Sequence, residues 1–224
     1  MSKQPNLSYE KKLWKEGIEF VIGIDEVGRG CLAGPVTAGA VCLLPFCQYN
    51  DLQIKERKIR DSKKLSPLAR EGIFKTFRNS SFLRWSTASV SHTIIDKKNI
   101  VEATKLAMEE AIRKLLKKIY FDEREREVLF KRTFLLIDGK IELFDGRIPQ
   151  KSIVRGDEKI LSIALASIMA KVKRDRIMKR YHQKYPQYNF AQHKGYPTFL
   201  HFLSLKKFGS SPIHRLSFLS PKSV

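Results

Sequence analysis

Long apolar runs are missing from this chain. The longest, residues 38–46, is far too short to cross a bilayer, and residues 1–20 carry too many charges for a signal peptide. Cysteine is almost as scarce. Cys31, Cys42 and Cys47 are an odd number without zinc-ligand spacing, which excludes a disulfide framework and reads as reduced thiols in a cytoplasmic protein. No internal repeat is present. Acid is also in short supply: 23 Asp and Glu stand against 43 Lys and Arg in 224 residues, a formal net charge of +20. A surplus this large serves a polyanion, either nucleic acid or an acidic membrane surface. With no membrane segment in view, nucleic acid is the expected partner.

What is present alternates between strand and helix. Residues 21–24 read as a short buried strand, with Asp25-Glu26 at its polar end and a turn at Gly28-Arg29-Gly30. A second apolar strand covers 36–44, a basic polar stretch 52–64, and a helix opens at Ser66-Pro67 and runs to about Phe77. A third strand is expected over 82–90. One long helix is expected over 97–119, with Ile100, Ala103, Ala107, Ala111, Leu115 and Ile119 on one face. Residues 121–132 are a charged excursion, either a solvated loop or a helix extension. A fourth strand, 133–137, ends at Asp138-Gly139, and a fifth, 152–154, precedes Arg155-Gly156-Asp157. A helix then runs from 158 to about 182, small and apolar first and strongly basic afterwards. Residues from 184 onward form a tail with a helix near 198–208.

That order puts Asp25 with Glu26, Asp138 and Asp157 each at or just past the end of a strand, where open α/β sheets build their sites. An acidic cluster in so basic a chain is costly unless a cation neutralises it, and hard divalent ions prefer oxygen ligands. Two such ions lower the pKa of an attacking water and stabilise the entering and leaving oxygens of a phosphodiester. Glycines on either side of Arg29 let main-chain N–H groups approach a phosphate or sugar. Adjacent strand residues point to opposite faces, so Asp25 and Glu26 cannot both face one ion on a regular strand. Either the backbone bends there, or Glu26 contributes its main-chain carbonyl. Asp157 is also placed to be a helix N-cap. The basic run Lys171, Lys173, Arg174, Arg176, Lys179 and Arg180 reads either as a solvated helix face or, beside an acidic metal site, as a face that tracks phosphates. His193 and His214 have no metal-ligand spacing and read as structural.

The segment IGIDEVGRGCLAGPV resembles the signature of type 2 ribonuclease H, the bacterial ribonuclease HII family. Further blocks follow in the family's order: DSKKLSP from Asp61, IDKKNI from Ile95, LLIDG from Leu135, GDEKILSIALASIMAKVKRDR from Gly156, HKGYPT from His193 and PIHRLSF from Pro212. Arg29 stands where the related type 3 enzymes usually carry threonine, which favours type 2. The resemblance implies an α/β, ribonuclease H-like fold with a mixed central sheet flanked by helices. It implies a catalytic domain over 1–182 and a helical C-terminal tail over 183–224 that packs on it.

The implied activity is metal-dependent hydrolysis of the RNA strand in RNA–DNA hybrids and cleavage 5′ to single ribonucleotides in duplex DNA, leaving 3′-hydroxyl and 5′-phosphate ends. Matched by motif, Asp25, Glu26, Asp138 and Asp157 are the catalytic and metal-binding residues, for Mg²⁺ or Mn²⁺. Gly28, Arg29 and Gly30 sense the ribose 2′-hydroxyl, Tyr196 stacks on the sugar past the junction, and Lys63 helps position the strand. A monomer is expected. Two rivals stand beside this: a binding protein whose acidic cluster is only structural, and another nuclease of the same broad fold. The first predicts no metal-dependent turnover, and the second lacks a reason for Gly28-Arg29-Gly30.

Overall fold

The computed structural model describes residues 4–45, 59, 62, 65–119 and 126–219. Lys63, together with Asp61, Lys64 and Cys47, lies outside the described residues. Five strands form one mixed sheet: β1 (Phe20–Val27), β2 (Val36–Leu43), β3 (Leu83–Val90), β4 (Thr133–Asp138) and β5 (Gln150–Ile153), in the order β3-β2-β1-β4-β5. β1–β2 and β2–β3 are antiparallel, whereas β1–β4 and β4–β5 are parallel. The parallel pairs require crossovers: helices lie in the one from β1 to β4, and only the 3₁₀ turn Phe144–Gly146 lies in the one from β4 to β5. The helices are α1 (Ser8–Lys15), α2 (Pro67–Phe77), α3 (His92–Lys98), α4 (Ile100–Ile119), α5 (Arg126–Lys131), α6 (Leu161–Lys184), α7 (Phe190–His193) and α8 (Phe199–Phe208). This is the α/β architecture expected, a mixed sheet flanked by helices.

Two helices sandwich the sheet. Ile22 and Ile24 of β1 face α4, packing in one cluster with Ala103, Ala107, Ala111 and Leu115. The alternate positions of β1 face α6: Val21 packs with Ile163, and a Cβ on Gly23 would sit 2.3 Å from the Ser162 carbonyl carbon. Only glycine permits that approach. By the same period-two rule Asp25 continues the α6 face and Glu26 the opposite one. In β4, Leu136 belongs to the α6 side and Leu135 and Ile137 to the α4 side. Asp138 therefore shares the face of Asp25.

Three local departures from the sequence reading have clear causes. The long helix expected over 97–119 is two helices. Asn99 takes a left-handed φ of 73° between them, and its Oδ1 accepts from the N–H groups of Val101 and Glu102, capping α4. Within 121–132, residues 126–131 form α5, and Leu129 and Phe130 are buried in the core rather than solvated. The N-terminal helix α1 was not expected. Glu10 on it is fully buried, and its Oε1 accepts from the Ser162 N–H in the first turn of α6. The N-cap of α6 is Ile160, which offers no side-chain acceptor, so Glu10 supplies the cap from a distant helix.

Candidate active site

Asp25 is 5% exposed, at the end of β1 on the face covered by α6. Its Oδ1 accepts from the Glu26 N–H at 2.7 Å, and the Ser167 hydroxyl of α6 also bonds the carboxylate. Ser167 is linked in turn to Ser62 by a hydroxyl–hydroxyl contact of 2.8 Å. Burial first, then the charges of Glu26 and Asp138, push the Asp25 carboxyl well above the usual range; Ser167 opposes this and Asp157 adds to it. Four carboxylates therefore share one neighbourhood. Asp138 ends β4, and its Oδ1 accepts from the Gly156 N–H at 2.7 Å. Asp157, 7% exposed, follows in the single 3₁₀ turn Gly156–Glu158. It is not the N-cap of α6, which begins at Leu161. That alternative is corrected: the 3₁₀ turn separates Asp157 from the helix.

Glu26 sits apart from the other three in orientation. The strand register continues unbroken through Glu26↔Ala38 and Val27↔Thr37, so the backbone does not bend at this point. Glu26 Oε1 receives the Arg29 guanidinium at 3.2 Å, while Oε2 is buried without a partner. Burial raises the Glu26 carboxyl, Arg29 lowers it, and Asp138 raises it. An orphaned carboxylate oxygen among mutually repelling carboxylates is a donor set that fits a divalent cation. The side chains are not drawn onto one point: among the described residues no three His, Cys, Asp or Glu are already arranged to hold a metal ion.

Beyond β1 the chain turns through residues 28–35. Gly28 has a φ of 92°, and a Cβ there would meet Arg174 Nε at 2.1 Å. Gly30 differs: nothing lies within 4 Å of its Cβ position. Two fully buried arginines hold this loop by its carbonyls. Arg215 donates to Gly28, Arg29 and Gly34, and Arg174 to Ala33, Pro35 and Lys194. No carboxylate pairs with either guanidinium among the described residues.

Of the basic run on α6, only Arg174 is buried. Arg174 is structural, Lys171 pairs with Asp175 at 2.8 Å, and Arg176 pairs with Glu71. A cavity of about 260 Å³ is lined by Arg70, Lys171, Lys179, Lys194 and Tyr196, with Glu71 and Asp175 among them. Tyr196 is half-buried, with Lys171 and Arg174 over its ring at 5.6 and 5.8 Å. Burial pushes its hydroxyl up to about 12. Sequence reasoning missed Ser167, Arg215 and Asp96. The Asp96 carboxylate, in the IDKKNI block, accepts from the N–H groups of Leu216 and Ser217 and fastens the C-terminal segment to α3.

The model of the family "Ribonuclease HII" matches residues 22–220. The chain belongs to the ribonuclease HII family. It is therefore an endoribonuclease, a hydrolase, and the two-metal-ion mechanism is general for this family. It is 42% identical over 210 residues to the Ribonuclease HII of Chlorobium chlorochromatii, covering 94% of both chains. To that of Caldanaerobacter subterraneus subsp. tengcongensis it is 44% identical over 211 residues, 94% of this chain and 78% of that one. The fold is shared with RNase HII from Archaeoglobus fulgidus, solved in a complex with PCNA (TM-score 0.66, 23% identity, 90% of this chain and 96% of that one). It is also shared with Bst-RNase HIII, solved with Mn²⁺ (TM-score 0.66, 16% identity, 94% and 70%). No helix among this family member's described residues is long and apolar enough to cross a membrane.

Proposed function

We propose that the protein cuts the RNA strand of RNA–DNA hybrids and cleaves duplex DNA on the 5′ side of a single embedded ribonucleotide. Mg²⁺ or Mn²⁺ is held by Asp25, Glu26, Asp138 and Asp157. The observation that carries this is the Asp25 carboxyl, packed among Glu26, Asp138 and Asp157 and raised first by burial and then by those three carboxylates, in a chain of net charge +20. The Mn²⁺ complex of the HIII neighbour supports the choice of metal. When bound, the ions supply an activated water and neutralise charge on the entering and leaving oxygens.

The chain's own groups set the rest. Ser167 fixes the Asp25 carboxylate, and the Gly156 N–H occupies one oxygen of Asp138, leaving its other oxygen open. Arg29 occupies Glu26 Oε1. The unbent strand favours the Glu26 main-chain carbonyl over its carboxylate for the ion shared with Asp25. The loop N–H groups at 28–30 meet the ribose, and Tyr196 stacks on the adjoining sugar. The water oxygen attacks phosphorus and the P–O3′ bond breaks, so 3′-hydroxyl and 5′-phosphate ends result. Residues 183–224 act as a tail that closes over the duplex, and the enzyme works as a cytoplasmic monomer. The test is cleavage of a single-ribonucleotide duplex with Mg²⁺, Mn²⁺ or chelator. Turnover with either ion and none with chelator is expected; metal-independent turnover would sink the reading.

A further inference from the structure

The C-terminal segment buries three histidines together: His193 at the end of α7, His201 in α8, and His214 beside Arg215. Their hydrogen bonds fit only one placement of protons. The Ser211 N–H, which can only donate, lies 2.8 Å from His214 Nδ1, so that nitrogen must offer a lone pair. Neutral His214 then carries its proton on Nε2. That atom is 3.0 Å from His201 Nε2, which must accept. His201 therefore carries its proton on Nδ1, 2.9 Å from the Tyr196 carbonyl, which can only accept. Two independent backbone groups, one at each end, thus dictate the same direction. His193 is fixed in the same way: its Nδ1 accepts from the Gly195 N–H at 3.1 Å, and its Nε2 donates to the Tyr188 carbonyl at 2.6 Å. Its ring stacks on His201 with centroids 4.2 Å apart.

This oriented pair has a definite address. At one end is the main chain of Tyr196, whose own N–H donates to the His193 carbonyl. At the other end, His214 is followed directly by Arg215, whose guanidinium holds the Gly28 and Arg29 carbonyls at 2.7 Å. The Ala33↔His214 bridge and the Arg215 N–H to Leu32 carbonyl bond tie the same residues to the loop.

We propose that His201 is a positioning residue for ribonucleotide recognition: its Nδ1–H, set by the hydrogen bond its Nε2 accepts from His214, fixes the Tyr196 main chain beside the Gly28–Gly30 loop. The proposal rests on the roles given to Tyr196 and that loop above. Its specificity lies in the donor at His201 Nδ1. In asparagine the side-chain amide nitrogen falls where Nδ1 does and can keep the bond to Tyr196. In glutamine the amide reaches toward the Nε2 position, keeps contact with His214, and leaves the Tyr196 carbonyl.

The experiment compares His201→Asn, His201→Gln and Tyr196→Ala, alone and with Tyr196→Ala combined with each, on a duplex carrying one ribonucleotide. Duplex affinity and melting midpoint are measured alongside kcat. His201→Asn is expected to keep near-parental kcat, and His201→Gln to lose roughly five- to tenfold, the scale of one neutral hydrogen bond, at unchanged affinity. In the Tyr196→Ala background the Gln substitution is expected to add nothing, because its route of action is gone. If Gln turned over as fast as Asn, or if its loss added fully to that of Tyr196→Ala, the positioning role would be overturned. If Tyr196→Ala itself cleaved at the parental rate, the failure would lie in the role given to Tyr196, which is a distinguishable result.

Discussion

The carboxylate end of the sheet and the histidine–arginine region of the C-terminal segment are both buried, polar and close to the same loop, yet they are built on opposite terms. In the first, like charges are packed together, Asp25 is pushed well above its usual pKa, and Glu26 Oε2 has no partner. In the second, His193, His201, His214, Arg174 and Arg215 all have their buried nitrogens engaged, mostly by main-chain groups. A site that must receive cations holds unmet acceptors; a region that must hold a loop still leaves none. Buried polar groups cost little when satisfied and much when not, so on the proposed function the first region would do the chemistry and the second would hold its geometry.

Substitutions at the acidic end separate the two most sharply. Asp25→Asn or Asp138→Asn keeps the shape and removes a charge. Cleavage of the single-ribonucleotide duplex should fall by roughly 10²-fold or more, the scale of lost transition-state stabilisation. The melting midpoint should hold or rise without metal, because repulsion is relieved. Arg215→Met should do the reverse in kind. It leaves the carbonyls of Gly28, Arg29 and Gly34 without their donor, at a cost of about 3 kcal/mol or more in urea unfolding. A stable Arg215→Met would erase the contrast.

The loop between the two regions sharpens it further. Gly28→Ala collides with Arg174 and needs a positive φ, so stability and activity should fall together. Gly30→Ala meets no protein atom, so its melting midpoint should match the parent while cleavage falls more than duplex affinity, which rests on phosphates.

The last contrast is set by acid. Burial holds His201 and His214 at about 4 against an ordinary 6.5, with His193, His92, Tyr188 and Arg215 around them. The folded state resists protons that the unfolded chain takes up. The stabilisation is therefore complete above about pH 6.5 and is lost as pH falls toward 4. The melting midpoint should drop across that window. His201→Asn should flatten the drop, and an unchanged midpoint in the parent would mean that these histidines are not held neutral.

Much of the acidic end was legible in the sequence because it is local. Asp25, Asp138 and Asp157 each follow an apolar strand, whereas the alternation of strand faces left open whether the backbone bends at Glu26 or its side chain points away. The second region was hidden because its bonds join residues far apart in the chain. Arg174 sits among five other basic residues and reads as solvated, although Ala170, Arg174 and Met178 share a spacing of four that places it on the buried face of α6. Glu10 capping α6, and Asp96 receiving the C-terminal segment, had no local signal at all. The break at Asn99 did have one, since asparagine both tolerates a left-handed φ and caps the next helix.

The central claim is that the acidic cluster and the loop beside it hydrolyse DNA at a ribonucleotide. The most direct measurement is end-mapping on two duplexes identical except for one ribose, with Mg²⁺ at saturation. The account predicts a single cut on the 5′ side of the ribose, with a 3′-hydroxyl that a polymerase can extend and a 5′-phosphate, and no cut in the all-deoxy duplex. Equal cutting of both duplexes, or cyclic-phosphate ends, would contradict it.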